Sequence, residues 1–296
     1  MIIDAHAHVF PPGVIARRDE IRADEPVFNE MYSDASAKMA TAAEVLASMD
    51  EAGVDRTIIC NFAWRDGDLV DETNAYILEA AAKSGGRLIP FVSVHFGEGF
   101  AAHGRGETDD APTSVRGDIR TAFRRLASAG ARGIGELRPA SSGYNLANSD
   151  EADLLGWAAA AFDLPILVHC SEPVGHVYPG KEGLPLDALY GFAKSASGVT
   201  IIAAHWGGGL PFYALMPEVR EALDGVYFDT AASHLLYDPA IYRRVIDLVG
   251  VEKILFGSDF PLTSQAKAIE RVRDAGLSDA ELAAVRGGNA AAMLGL

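Results

Sequence analysis

The chain has 296 residues, of which 49% are hydrophobic and 22% charged, and it carries a net charge of −16. A surface this acidic repels phosphate backbones, which argues against nucleic acid as a partner. No uncharged apolar run reaches the roughly 20 residues that span a bilayer, which argues against a membrane. The mean hydropathy of +0.10 leaves ample apolar material for one large core.

In chain order, Ile2 and Ile3 begin a short buried strand that ends in His6-Ala7-His8. Residues two apart on a strand point the same way, roughly 7 Å apart at their Cα atoms. Two imidazoles so placed can grip one metal ion at about 2.0–2.1 Å from each nitrogen. The irregular, charged stretch over 10–40 is long for a connection and reads as a lid, in which Phe28, Met31 and Tyr32 need somewhere to pack. A capping box, Thr41 to Glu44, opens a helix that Gly53 ends. A strand over 57–60, a helix over 72–84 and a strand over 88–94 ending at His95 follow. Residues 96–114 form a second long loop, and 115–129 a helix. The fourth strand, 133–137, carries Glu136 and ends beside Arg138; Ser149 caps the next helix.

The fifth strand, 164–168, delivers His169, and a third lid-like loop over 171–184 carries Glu172, His176, Tyr178 and Lys181. A helix near 185–196 leads to the sixth strand, 199–204, which delivers His205 ahead of Trp206 and Gly207-Gly-Gly209. A helix over 211–223, a strand over 226–229 and a helix opened by Asp238-Pro239 come next. The eighth strand, 253–257, delivers Asp259, and two short helices finish the chain, the first opened by a capping box, Ser278 to Glu281.

Eight short apolar strands alternating with helical segments predict a parallel sheet, closed into a (β/α)8 TIM barrel that occupies 1–296 as a single domain. Active sites of such barrels form at the C-terminal ends of the strands. His6, His8, His169, His205 and Asp259 all fall there. One histidine ending a strand is more often a packing residue, but five ligand types at one rim are not explained by packing. Imidazoles with a carboxylate suit Zn²⁺ best, with Mn²⁺ or Fe²⁺ as alternatives. Cys60 and Cys170, both in apolar runs, read as reduced thiols. No signal peptide is visible, so the expected location is the cytoplasm.

Taken together, Asp4-Ala-His-Ala-His8, Val168-His169, Ala204-His205-Trp206-Gly207, Gly257-Ser-Asp-Phe-Pro261 and Gly288-Asn-Ala-Ala-Ala-Met-Leu-Gly295 resemble the amidohydrolase superfamily. Within it they resemble the amidohydrolase-2 branch, which includes aminocarboxymuconate-semialdehyde decarboxylase and related lactonases and hydratases. The resemblance implies a metal-dependent barrel in which His6, His8, His169 and Asp259 bind the metal and His205 holds or deprotonates the water. Some amidohydrolases bridge two metals with a carbamylated lysine ending the fourth strand. No lysine ends any strand here, so that bridge is excluded. Glu136 stands as an alternative bridging carboxylate or as the partner of Arg138, and one metal per chain is the favoured reading.

The expected function is hydrolysis of an amide, ester or lactone bond in a small carboxylated molecule by a metal-activated water. Asp259 would accept the proton and His205 act as general acid or base. The alternative is a non-oxidative decarboxylase of an aromatic or muconate-type acid, and a third reading is a metal-binding barrel without catalysis. Arg138 is the expected carboxylate clamp. Trp206 is expected either as an apolar wall at the substrate or packed under the Gly207-Gly-Gly209 turn, His95, His176, Tyr178 and Lys181 near the substrate, and His103 and His234 at the surface. A small molecule is the expected partner, with homodimerisation left open.

Overall fold

The computed structural model describes residues 1–94, 113–139, 145–147, 149–181, 183–196 and 198–296. Its strands are β1 (Ile3–His8), β2 (Arg56–Cys60), β3 (Leu88–Val92), β4 (Gly133–Leu137), β5 (Ile166–Val168), β6 (Ile201–Ala203), β7 (Val226–Asp229) and β8 (Ile254–Leu255). They form one sheet in sequence order, each pair parallel. The chain just past β8 closes it: the Ala5 N–H donates to the Phe256 carbonyl and the His8 N–H to the Phe260 carbonyl, both at 2.7 Å. This is the predicted TIM barrel.

Ile3, Ala5, Ile58, Phe91, Leu167 and Ile202 fill the barrel interior. Ala290 and Leu294, from the helix Asn289–Leu294, join that cluster. A second apolar layer lies between strands and helices. There Val45 and Met49 of the helix Ala42–Ala52 pack with Val9 and Ile59. That helix has the predicted capping box at Thr41, and Gly53 closes it in the left-handed conformation at φ +69°.

Two strands carry an irregularity that a regular period of two does not foresee. On β1, Asp4 pairs with Thr57 but Ala7 with Ile59, and on β4, Ile134 pairs with Ile166 but Leu137 with Val168. Each has three steps against its neighbour's two, which is one extra residue, a β-bulge. A bulge switches the faces. Ile3 and Ala5 fill the interior, yet His6 also reaches the axis at the mouth; Ile134 and Leu137 pack outward, yet Glu136 turns in. Gly135 is what β4 requires at this point. Its φ is +130°, and a Cβ there would stand 2.3 Å from the Leu167 carbonyl oxygen.

Residues 10–40, expected to be irregular, instead form three short helices, Pro12–Ala16, Arg18–Ile21 and Pro26–Tyr32. Their apolar side chains make a separate cluster of Phe10, Phe28 and Tyr32 with Phe62 and Trp64. Glu25 anchors it by accepting from the backbone N–H groups of Arg65 at 3.0 Å and Asp66 at 2.9 Å. Two further expectations change. The helix predicted over 211–223 is a 3-10 turn, Leu210–Tyr213, and a helix starting at Pro217, because proline favours a helix start over an interior. A helix over Gln265–Arg273, capped by Ser264, precedes the two predicted at the end. Among the described residues no helix is long and apolar enough to cross a membrane.

Candidate metal centre at the barrel mouth

The strand ends bring His6, His8, Glu136, His169, His205 and Asp259 together. His6 Nε2 lies 3.1 Å from His8 Nε2, 3.6 Å from Glu136 Oε1 and 3.9 Å from Asp259 Oδ1. His8 Nε2 lies 3.5 Å from Asp259 Oδ1 and 3.6 Å from Glu136 Oε2. His205 Nε2 lies 3.7 Å from Glu136 Oε1, and His169 Nδ1 is 3.0 Å from the same oxygen. Glu136 therefore sits among four imidazoles, each within 3.7 Å of one of its oxygens. Among the described residues, His6, Glu136 and His205, and His6, His8 and Cys60, form groups of three whose donor atoms lie within 4.8 Å of one another.

The outer nitrogens are anchored away from the centre. His6 Nδ1–H donates to Asp229 Oδ2 at 2.8 Å, and His205 Nδ1–H to the Ala231 carbonyl at 3.2 Å. His8 Nδ1 lies 3.6 Å from the Cys60 sulfur. Outward anchors of this kind fix the tautomer and leave the Nε2 lone pair facing the centre, as metal-binding imidazoles require. Three such nitrogens and two carboxylates, buried apart from a partly exposed His8, suit a divalent cation.

Asp229 is the site residue that sequence reasoning left as a plain strand end. It is fully buried, and its second oxygen accepts from the backbone N–H of His205 at 2.9 Å and of Ala231 at 3.0 Å. The available signal was its position, the last residue of β7 at the same rim.

Local backbone geometry does the aiming after β6 and β8. His205, Trp206 and Gly207 to Gly209 are five consecutive residues at positive φ, with His205 at +53° and Trp206 at +59°. A Cβ on Gly208 would meet the Ser171 carbonyl oxygen at 2.5 Å, so the loop after β5 holds this turn tightly. Asp259 also stands at φ +62°. Left-handed positions cost non-glycine residues of the order of 1–3 kcal/mol each and concentrate where function requires them.

Electrostatics follow from this crowding. Burial works against a charged His6, but Asp229 and Glu136 outweigh it and push the imidazole up to about 10. Burial likewise opposes charge on His205, which Glu136 and the aspartates push up to about 9. Burial opposes ionisation of Glu136 and Asp259, yet the imidazoles hold both well below the usual carboxylate range. His169 goes the other way: burial, aided by Arg138, lowers it, so it stays neutral.

Above the donors lies a cavity of about 530 Å³. Tyr32, Phe62, Leu235 and Leu262 line it as apolar walls, and Arg138, His176 and Tyr178 also reach it. Arg138 is 3% exposed and donates to the Gly180 carbonyl at 2.6 Å and to the Met31 sulfur at 3.2 Å. It thus stands where the first and third lid segments meet. Tyr178 donates to Glu172 at 3.0 Å.

The structure narrows two expectations and leaves two histidines undescribed. Trp206 does not face the cavity: its indole is fully buried, donates to Ser233 at 2.7 Å and meets Tyr242 edge-on, because the left-handed turn drives it into the outer layer. Lys181 donates to the carbonyls of Val174 and His176, closing its own loop. His95 and His103 lie outside the described residues.

Solved structures share this architecture. A 5-carboxyvanillate decarboxylase from Sphingomonas paucimobilis aligns at 18% identity, covering 100% of this chain and 99% of its own, with a TM-score of 0.73. A 5-carboxyvanillate decarboxylase from Novosphingobium aromaticivorans, with manganese and 4-hydroxy-3-methoxy-5-nitrobenzoic acid, aligns at 15% identity, 100% and 96% coverage and TM-score 0.75. A dihydroxybenzoic acid decarboxylase from a Polaromonas species, with manganese and 2-nitroresorcinol, gives 16%, 100% and 97%, and 0.72. At these identities the likeness is one of fold. A search of curated protein sequences finds no match. The amidohydrolase family model matches residues 3–296, and the chain belongs to that family.

Proposed function

We propose that this chain is a metal-dependent carboxy-lyase that removes carbon dioxide from a small aromatic acid, in place of the hydrolase expected first. The observation that carries the reading is the cavity. Its donor cluster sits below apolar walls of Tyr32, Phe62, Leu235 and Leu262, with the Arg138 guanidinium beside them. A single-ring acid matches that shape and charge. Structural neighbours that are decarboxylases of aromatic acids, two of them with manganese, support it.

His6, His8, His169 and Asp259 would hold a divalent cation, with Glu136 beside them as a further ligand or as the bridge of a second one. When bound, the cation supplies positive charge that polarises the substrate's oxygens. The residues do the rest. Arg138 orients the acid by a charge-assisted pair. The apolar walls flatten the ring against the floor and exclude water. His205 and Asp259, both facing the cavity, carry the proton that reaches the ring carbon while its bond to the carboxylate breaks. Carbon dioxide leaves, and the proton replaces it.

The deciding experiment incubates protein loaded with Mn²⁺ or Zn²⁺ with 2,6-dihydroxybenzoate, 5-carboxyvanillate and a set of lactones, esters and amides. Carbon dioxide and ring product are followed together. Equimolar carbon dioxide from an aromatic acid is the expected result. Hydrolysis of a lactone, ester or amide with no carbon dioxide from any acid would return the assignment to a hydrolase.

A further inference from the structure

Tyr32 ends the helix Pro26–Tyr32 and lines the same cavity as the donors. Its ring is held on several sides. Phe28 lies 4.6 Å away between ring centres, Phe10 edge-on at 5.6 Å and Phe62 edge-on at 6.2 Å. Its backbone is held as firmly. Arg18 Nε donates to the Tyr32 carbonyl at 2.9 Å and Arg18 Nη1 to the Ala37 carbonyl at 3.2 Å, and the guanidinium stands 5.9 Å from the ring centre. Tyr32 is 8% exposed.

The hydroxyl is different. No described residue hydrogen-bonds to it, although every other part of the side chain is fixed. Tyr32 shares the lining of the cavity with His8, Glu136 and Asp259, and these are the foremost charges acting on the phenol. Burial pushes the phenol up to about 12, so it remains a neutral donor at any working pH. A tyrosine hydroxyl at the wall of an apolar cavity normally finds a partner. Here the side of the cavity is where one would arrive.

We propose that Tyr32 is a substrate-binding donor, whose hydroxyl donates to an oxygen substituent on the ring and selects hydroxylated aromatic acids over unsubstituted ones. This rests on the reading of the cavity as an aromatic-acid site, but not on turnover. A tyrosine present only for packing would be replaced by phenylalanine without effect, since every ring contact survives.

The test is a binding titration of metal-loaded wild type, Tyr32→Phe and Tyr32→Leu with 2-hydroxybenzoate and with benzoate. Wild type is expected to bind 2-hydroxybenzoate more tightly. Tyr32→Phe should weaken 2-hydroxybenzoate by about 2- to 13-fold, the worth of one neutral hydrogen bond, with benzoate, metal content and Tm unchanged. Tyr32→Leu, which opens the aromatic cluster, should weaken both acids. Equal discrimination in wild type and Tyr32→Phe overturns the proposal, as does failure of wild type to bind either acid. If Tyr32→Phe loses its discrimination while no acid yields carbon dioxide, the carboxy-lyase assignment falls and the donor role stands.

Discussion

Asp229 divides its two oxygens between two strands. Oδ2 fixes the His6 ring, and Oδ1 takes the backbone N–H groups of His205 and Ala231. Asparagine has the same shape but accepts at only one of those positions. Asp229→Asn should therefore weaken metal binding by about 10- to 100-fold, as loss of an outer carboxylate does at metal-bound histidines. Competition against a chelator of known affinity measures it, and unchanged affinity would remove Asp229 from the site. Asp259 faces the cavity directly. Asp259→Asn keeps a weak oxygen ligand but cannot take or give the reacting proton. Its kcat should drop by roughly two to four orders of magnitude with the circular dichroism spectrum unchanged. Retention of more than about a tenth of wild-type kcat would leave His205 as the proton carrier. The roles of these two residues differ in how far sequence reveals them: Asp259 stands in a motif, whereas Asp229 is defined only by what it touches.

At the level of elements, strands β1 and β4 work because they are irregular. Each has one residue more than its neighbour, and the extra residue sends His6 and Glu136 to the same axis, 3.6 Å apart. Gly135→Ala tests this. A Cβ 2.3 Å from the Leu167 carbonyl forces backbone movement, and φ +130° is closed to alanine. The expected destabilisation is at least about 1–3 kcal/mol, the cost of a residue in a forbidden region. It is read as a lowered urea midpoint, and metal content should decline because Glu136 is displaced with the bulge. A variant with wild-type stability and metal content would show that β4 accepts a regular register. Alternating apolar residues made each strand visible in the sequence. The bulges were not visible, because they arise from how neighbouring strands pair and from the Leu167 carbonyl pressing on Gly135.

For the molecule as a whole, the candidate metal centre is also a dense group of coupled charges. Without metal, His6 and His205 are held protonated, at about 10 and about 9, against the aspartates and Glu136. Both values stand above the ordinary 6.5, so this pairing stabilises the metal-free fold fully below pH 6.5, and the contribution is lost as pH rises through 9 to 10. A metal needs the unprotonated nitrogen, so uptake near pH 7.5 must expel protons. About one to two protons should be released per metal bound. Calorimetry in two buffers of different ionisation enthalpy counts them. Release of less than about half a proton would mean that the imidazoles are already neutral. The same titration gives the stoichiometry, and two metals per chain would identify Glu136 as their bridge.

The barrel was legible from residue order alone, because a strand's apolar run and a helix's apolar stripe are local patterns, and eight alternations leave few other closures. The rim residues were legible for the same reason: His6, His8, His169, His205 and Asp259 each come at or just past the end of an apolar run. What the rim does with them was decided in three dimensions. The left-handed turn after β6 buries Trp206 against Tyr242 while swinging His205 over the axis. Glu136 meets four imidazoles where sequence proximity offered only Arg138. The lid folds into helices because Phe28 and Tyr32 find Phe62 and Trp64, some thirty residues away in the chain. These outcomes depend on contacts between distant segments, and sequence spacing carries no record of them.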